Sequence, residues 1–172
     1  MNRNELAQSI FETSHLTGKF LLRSGQISNE YFDKYLFESH PNLLKSIAEK
    51  MEHNVPDNTE ILAGLEMGGI PLATALSFRT NKPTIFVRKK AKEYGTKKLA
   101  EGVPFENKNV TIIEDVVTTG GQIIKSAAEL RKLGAEIDNV MCVIVRDSKA
   151  FENLKKANLN LIPLFTMEEL KK

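Results

Sequence analysis

Short apolar runs along the chain alternate with segments that have the apolar spacing of helices. Four runs span residues 60–65, 83–87, 109–113 and 139–145, and a weaker fifth spans 159–164. Apolar residues at successive positions are typical of strands that are buried on both faces. Strands that alternate with helices favour a parallel arrangement. The pattern therefore predicts an α/β fold with a mainly parallel central sheet flanked by helices.

Helices are predicted where apolar residues recur three and four positions apart. They cover residues 2–13 and 42–53, a segment that begins near Pro71, and residues 121–133. The whole chain of 172 residues suits a single domain, residues 1–172. Its one cysteine, Cys142, excludes a disulfide framework and, within an apolar run, is expected to be a buried small side chain.

The apolar runs are far shorter than the roughly 20 residues that span a bilayer. Glu5 and Glu12 interrupt the N-terminal segment, which therefore does not read as a signal peptide. We expect a cytoplasmic protein that does not bind membranes.

Positive charge is concentrated in one segment, although the net charge is only +2. Between Lys82 and Lys98, seven basic residues stand against one acid, Glu93. Such a block indicates an anionic partner, and a solvated loop is the alternative. Only Phe86 and Tyr94 are aromatic in this segment, which is not the interleaving that stacks successive bases, so a nucleic-acid partner is not expected.

The segment from Val110 to Gly121 carries the most chemical information. It reads as a strand, two acids (Glu114 and Asp115), a turn rich in hydroxyl groups and glycine, and then a helix. Backbone N–H groups of such a turn and the positive end of the helix can hold a phosphate, while the acids can accept hydrogen bonds from ribose hydroxyls. This combination suits a ribose 5-phosphate. A plain helix cap with solvated acids is the structural alternative.

Three segments resemble known families. Residues 110–121 resemble the motif with which type I phosphoribosyltransferases bind 5-phosphoribosyl 1-diphosphate (PRPP). Residues 20–33 resemble the base-binding hood of the orotate phosphoribosyltransferases, and residues 88–96 resemble their mobile catalytic loop. The resemblance runs from about residue 6 to residue 165. It implies the type I phosphoribosyltransferase fold, with a small N-terminal hood formed mainly by about residues 14–37 and the C-terminal segment.

The resemblance also implies a reaction, in which a phosphoribosyl group moves from PRPP to orotate and gives orotidine 5′-monophosphate and diphosphate. It implies Mg²⁺ held through the diphosphate and the ribose hydroxyls, with no direct protein ligand. It further implies a homodimer in which a loop lysine acts in the neighbouring subunit.

Site residues follow from the same resemblance. Catalytic roles are expected for Lys89, Lys92 and Asp115. Binding of PRPP is expected for Arg88, Lys89, Lys92, Tyr94, Glu114, Asp115, Val116, Val117, Thr118, Thr119, Gly120, Gly121 and Gln122. Binding of orotate is expected for Arg23, Tyr31, Phe32, Thr118 and Arg146. Arg146 also makes sense by itself, because a guanidinium at a strand end can pair with the carboxylate that distinguishes orotate from uracil.

The sequence departs from the family pattern at three places. Tyr94 stands where a histidine is common, Arg23 stands where a lysine is frequent, and residues 64–71 lack a lysine that some members place near residue 68. Two other functions are considered: phosphoribosyl transfer to a different base, and a regulatory protein that binds PRPP without turnover. Arg146 and the hood motif argue against the first, and the retained loop lysines argue against the second.

Overall fold

A computed structural model describes residues 1–22, 25–90 and 99–172. In chain order its elements are α1 (Arg3–Ser14), β1 (His15–Leu21), β2 (Ile27–Phe32), α2 (Lys34–Ser39), α3 (Pro41–Met51), a 3-10 turn (Glu52–Asn54), β3 (Ile61–Leu65), α4 (Gly69–Thr80), β4 (Thr84–Val87), β5 (Ala100–Gly102), β6 (Val110–Val117), α5 (Gly121–Lys132), β7 (Asn139–Val145), α6 (Lys149–Lys156), β8 (Asn160–Thr166) and α7 (Met167–Leu170).

The central sheet has six strands in the order β5-β4-β3-β6-β7-β8. Strands β4, β3, β6, β7 and β8 run parallel to their neighbours, and only the edge strand β5 is antiparallel. Each of the five parallel strands overlaps one of the apolar runs. The prediction of a mainly parallel α/β sheet is therefore confirmed.

Helices cover both faces of this sheet. One face packs against α5 and α6 through Ile123 and Leu154, and the other packs against α1, α3 and α4 through residues such as Leu72. Successive strand residues serve opposite faces: Ile112 belongs to the first core and Ile113 to the second. Cys142 is completely buried in the first core, as expected.

The third predicted strand is longer than its apolar run indicates. It was expected to end at Ile113, whereas β6 continues to Val117 and pairs with β7 as far as Val145. The reason is that β7 remains apolar and hydrogen-bonded to that point, so it extends its neighbour past the two acids. Glu114 and Asp115 consequently lie within the strand rather than after it.

A small hairpin, β1 with β2, stands apart from the central sheet. Its aromatic rings Phe20 and Tyr31 stack with centroids 5.5 Å apart. The C-terminal helix α7 lies near α1, where the Arg3 guanidinium donates to the Leu164 carbonyl at 2.7 Å and to Glu169 at 3.0 Å. Within the described parts of the chain, none of the helices is long and apolar enough to cross a membrane.

Candidate active site

The carboxyl ends of β3, β4 and β6 open into one cleft of about 370 Å³. This is the edge at which ligands bind in open parallel sheets. Nine of the residues expected to bind PRPP line the cleft in a continuous run, 114 to 122. It is lined by Lys34, Tyr35, Glu66, Met67, Lys89, Glu114, Asp115, Val116, Val117, Thr118, Thr119, Gly120, Gly121, Gln122 and Ile123.

The turn between β6 and α5 leaves a helix N-terminus open to the cleft. Gly120 adopts the left-handed conformation (φ 80°), and no side chain caps the helix. A β-carbon added to Gly121 would meet only the Thr119 hydroxyl, at 4.0 Å. Free N–H groups and the helix dipole make such a terminus a site for an anion.

Neighbouring elements hold this turn in place. The Asn153 amide of α6 donates to the Thr119 carbonyl at 3.0 Å, and Leu154 lies against Gly120. On the other side, the Arg146 N–H donates to the Val117 carbonyl at 2.8 Å. The anion site is therefore built by three elements and does not depend on the turn alone.

The two acids of β6 differ in exposure. Glu114 is half-buried, whereas the Asp115 side chain is fully buried. Asp115 Oδ1 accepts the Val116 N–H at 2.5 Å, and Asp115 Oδ2 forms an ion pair with Lys34 Nζ at 2.5 Å. Because the residues alternate between the faces of the strand, only Glu114 is partly accessible from the cleft.

Protonation differs among the carboxyl groups around this strand end. Burial alone would raise the pKa of Asp115, but hydrogen bonds from Glu114, Glu38 and Lys34 outweigh burial and lower it. Burial and the neighbouring Asp115 raise the pKa of Glu38 to about 9 and that of Glu114 well above its usual value. Of the three carboxyl groups, Asp115 is therefore the one that most favours the charged form.

Gly68 allows the loop after β3 to approach this cluster. A β-carbon at Gly68 would overlap Asp115 Oδ2 and would lie 2.7 Å from Glu38 Oε1. The position therefore admits no side chain. The absence of a lysine near residue 68, noted in the sequence, agrees with this lack of space.

The basic residues that follow β4 separate into two groups. Lys89 lines the cleft, and its N–H donates to Glu66 Oε1 at 2.5 Å. Arg88 is half-buried, lies 3.9 Å from Glu101, and is not among the residues that line the cleft. The predictions for Lys92 and Tyr94 lie outside the described residues.

A second, smaller cavity of about 140 Å³ lies under the hairpin. It brings together Tyr31, Phe32 and Arg146, three of the residues expected to bind orotate, with parts of α1 and the C-terminal segment. Thr118 lies in the larger cleft instead. Arg23 lies outside the described residues. The complete lining is Phe11, His15, Leu22, Ser28, Glu30, Tyr31, Phe32, Arg146, Met167 and Lys171.

Two polar residues of the site were not singled out from the sequence: Lys34 and Glu38. Lys34 and Glu38 are four residues apart and share a face of α2, a spacing that could have drawn attention to them. Their contact with Asp115 joins residues distant in sequence. Among the described residues, no cluster of three or more His, Cys, Asp or Glu side chains is placed to hold a metal ion by itself.

Comparisons with known proteins agree with this geometry. The family model "Phosphoribosyl transferase domain" matches residues 37–161. The orotate phosphoribosyltransferase of Nocardioides sp. strain JS614 is 50% identical over 165 residues, covering 96% of this chain and 92% of its own. That of Methanocaldococcus jannaschii is 44% identical over 153 residues, covering 89% and 87%. The crystal structure of Mycobacterium tuberculosis orotate phosphoribosyltransferase in complex with PRPP has a TM-score of 0.84 at 25% identity, with 99% of each chain covered.

A parallel sheet whose carboxyl edge carries an acid pair and an open helix N-terminus is the architecture of the phosphoribosyltransferases. The chain belongs to this family and, within it, to the branch of the orotate phosphoribosyltransferases.

Proposed function

We propose that this protein transfers the 5-phosphoribosyl group of PRPP to orotate, giving orotidine 5′-monophosphate and diphosphate, a step of pyrimidine nucleotide synthesis. One observation carries the proposal. The open helix N-terminus at Gly121 and the acid pair of β6 share a cleft with Lys89, and the cavity that contains Arg146 adjoins the same strand end.

The phosphoribosyl ligand fits the cleft in one orientation. Its 5-phosphate binds the N–H groups and hydroxyls of residues 118–121, where the helix dipole favours negative charge. The ribose hydroxyls then face the acid pair, with Glu114 the more exposed of the two acids. Carbon 1 and its diphosphate lie toward Lys89.

Orotate fits the smaller cavity. Its ring packs beside Tyr31 and Phe32, and its carboxylate pairs with the Arg146 guanidinium, which can donate two parallel hydrogen bonds. Thr118 lies between the two proposed substrate positions. It directly follows Val117, whose carbonyl accepts the hydrogen bond from the Arg146 N–H. A role for Arg23 at this cavity remains an expectation from the sequence.

Charge develops mainly on the leaving diphosphate. Lys89 is placed to stabilise this charge more strongly in the transition state than in the ground state, and Arg88 and Lys92 are assigned the same task from the family resemblance. Because its pKa is lowered, Asp115 is a weak base. We therefore assign it the role of a fixed negative charge and not that of the proton acceptor. The ring nitrogen of orotate is the nucleophile.

Magnesium is proposed as the cofactor, held through the ligand. The residues fit this arrangement because Asp115 is already paired with Lys34, while the partly exposed Glu114 faces the place proposed for the ribose. The ion, when bound, would neutralise diphosphate charge.

A homodimer is proposed as the active form, in which one lysine of the loop after β4 acts in the cleft of the partner subunit, while Lys89 lines the cleft of its own subunit. Exposed aromatic side chains on α4 and β4, Phe78 and Phe86, support an apolar contact with a second copy. The cytoplasm is the proposed location, which the single buried thiol of Cys142 suits.

The test is an absorbance assay with Mg²⁺, PRPP and orotate, which follows the loss of the orotate band. Lys89→Ala is expected to lower kcat at least 100-fold, because one charge-assisted contact to the leaving group is lost. Arg146→Gln is expected to raise the KM for orotate at least tenfold and to leave PRPP binding unchanged.

Lys108→Ala is the matched control, since Lys108 is an exposed lysine before the start of β6, at the opposite edge of the sheet. Uracil, adenine, hypoxanthine and guanine are assayed in parallel by diphosphate release. Turnover of one of these bases in place of orotate would contradict the role of Arg146. Tight PRPP binding without any turnover would favour a regulatory protein.

A further inference from the structure

Lys34 is a charged residue of the cleft that the proposed reaction does not use. It is the first residue of α2, and its ammonium lies 2.5 Å from Asp115 Oδ2. Its side chain is 33% exposed, and it lines the same cleft as the phosphate turn, Lys89 and Glu114. The cleft proposed for an anionic ligand is therefore lined by a further cation.

Lys34 occupies one oxygen of Asp115, and both residues line the cleft. The Asp115 side chain is 0% exposed, and its oxygens face the Val116 N–H, Lys34 and the tight approach of Gly68. The Lys34 ammonium forms an ion pair with Asp115 Oδ2, and an ammonium carries three donors in all. Because Lys34 is the more exposed of the two side chains, its ammonium is the more accessible to a ligand in the cleft.

The surrounding charges leave this ammonium free to bind an anion. Burial would lower the pKa of Lys34, but the bond to Asp115 outweighs burial and raises it. Glu38, one turn further along α2, is neutral at neutral pH because its pKa is raised to about 9, and the pKa of Glu114 is raised as well. Asp115, the carboxyl group with the lowered pKa, is thus the main anionic partner of Lys34.

We propose that Lys34 is a further substrate-binding residue, whose ammonium, seated on Asp115, donates a hydrogen bond to an oxygen of the phosphoribosyl ligand beside the acid pair. Asp115 then contributes to binding partly as a positioning residue for Lys34. This proposal takes only the identity of the ligand, PRPP, from the proposed function. Its test measures PRPP binding without orotate and so does not depend on turnover.

The experiment compares PRPP affinity by calorimetry, in Mg²⁺ buffer, for wild type, Lys34→Met, Asp115→Asn and the double variant. Lys34→Met alone strands a buried carboxylate, which destabilises the fold. The decisive comparison is therefore the double variant against Asp115→Asn, because neither contains the Asp115 carboxylate. We expect the double variant to bind PRPP at least tenfold more weakly than Asp115→Asn.

Inorganic phosphate is the second probe, because it needs only the turn at residues 118–121. Its affinity is expected to stay within twofold in all four proteins, and Lys34→Arg is expected to retain most of the PRPP affinity. Lys45→Met, on the exposed surface of α3, is the matched control and is expected to bind PRPP as wild type does.

Equal PRPP affinity of Asp115→Asn and the double variant would overturn the proposal, because Lys34 would then serve only to hold Asp115. A parallel loss of phosphate affinity would overturn it as well. Failure of the proposed function would give a different result. Wild type would then bind PRPP without consuming orotate, and Lys34→Met would still weaken PRPP binding.

Discussion

Two turns at the same edge of the sheet each join a parallel strand to a helix, and they treat the helix N-terminus in opposite ways. At the end of β3, Gly68 precedes α4, and Asp115 Oδ2 with Glu38 fills the space beside it. At the end of β6, Gly120 precedes α5, and the space beside Gly121 is open. Neither terminus carries a side-chain cap.

The difference shows that two turns at the carboxyl ends of the same sheet can serve different purposes, one supporting the fold and the other binding a ligand. The first turn is closed by carboxyl groups of the protein, so it fixes the position of the acid pair and of Lys34. The second turn is held from behind by Asn153 and Leu154 and leaves its N–H groups for a ligand. Substitutions in the first turn should therefore damage folding, and those in the second should damage binding.

Alanine at the two glycines should give the largest contrast. Gly68→Ala forces Asp115 Oδ2 to move, and we expect the free energy of unfolding to fall by about 2–4 kcal/mol. Gly121→Ala has room for the added methyl group and lies in a helix, so we expect unchanged stability. The methyl group would lie in the phosphate turn, so we expect weaker binding of inorganic phosphate. Denaturant unfolding and phosphate titration measure both. A Gly68→Ala protein as stable as wild type would mean that the first turn is not closed by Asp115.

Glu38→Gln should give an intermediate effect that depends on pH. In the folded protein the pKa of Glu38 is about 9, above the ordinary value of 4.5. As the pH rises from 5 to 9 the unfolded chain releases a proton that the folded chain keeps, so this carboxyl costs wild type increasing stability. Gln cannot ionise, and the variant should therefore gain stability relative to wild type over this range.

Thermal melting at pH 5, 6.5 and 8 measures this difference. Glu12→Gln, which removes a carboxyl from the exposed part of α1, is the matched control. A difference between Glu38→Gln and wild type that stays constant with pH would contradict the neutral state of Glu38.

Asn153→Ala should give the smallest effect. It removes the 3.0 Å hydrogen bond to the Thr119 carbonyl, and one such bond contributes about 0.5–1.5 kcal/mol. We expect phosphate affinity to fall about two- to tenfold, with little change in melting temperature. A large drop in melting temperature with unchanged phosphate affinity would show that Asn153 supports the fold rather than the open turn.

Much of the architecture could be predicted from local patterns. The apolar runs located all five parallel strands, because a strand buried on both faces has no polar positions to interrupt it. The segment from Glu114 to Gly121 could be recognised as a phosphate site because strand, acids, turn and helix are contiguous. The short hairpin, the edge strand β5 and the helices α2, α6 and α7 were not predicted, since their patterns are too short to stand out.

The sequence by itself determined the five parallel strands and the helices α1, α3, α4 and α5. It also determined the phosphate turn and the residues that resemble a phosphoribosyltransferase. Only the tertiary structure decided that Asp115 is buried while Glu114 is partly exposed, that Lys34 and Glu38 reach Asp115, and that Gly68 leaves no space there. The physical reason is that local patterns depend on neighbours along the chain. Burial and protonation depend on side chains that meet only after α2, β3 and β6 have packed together.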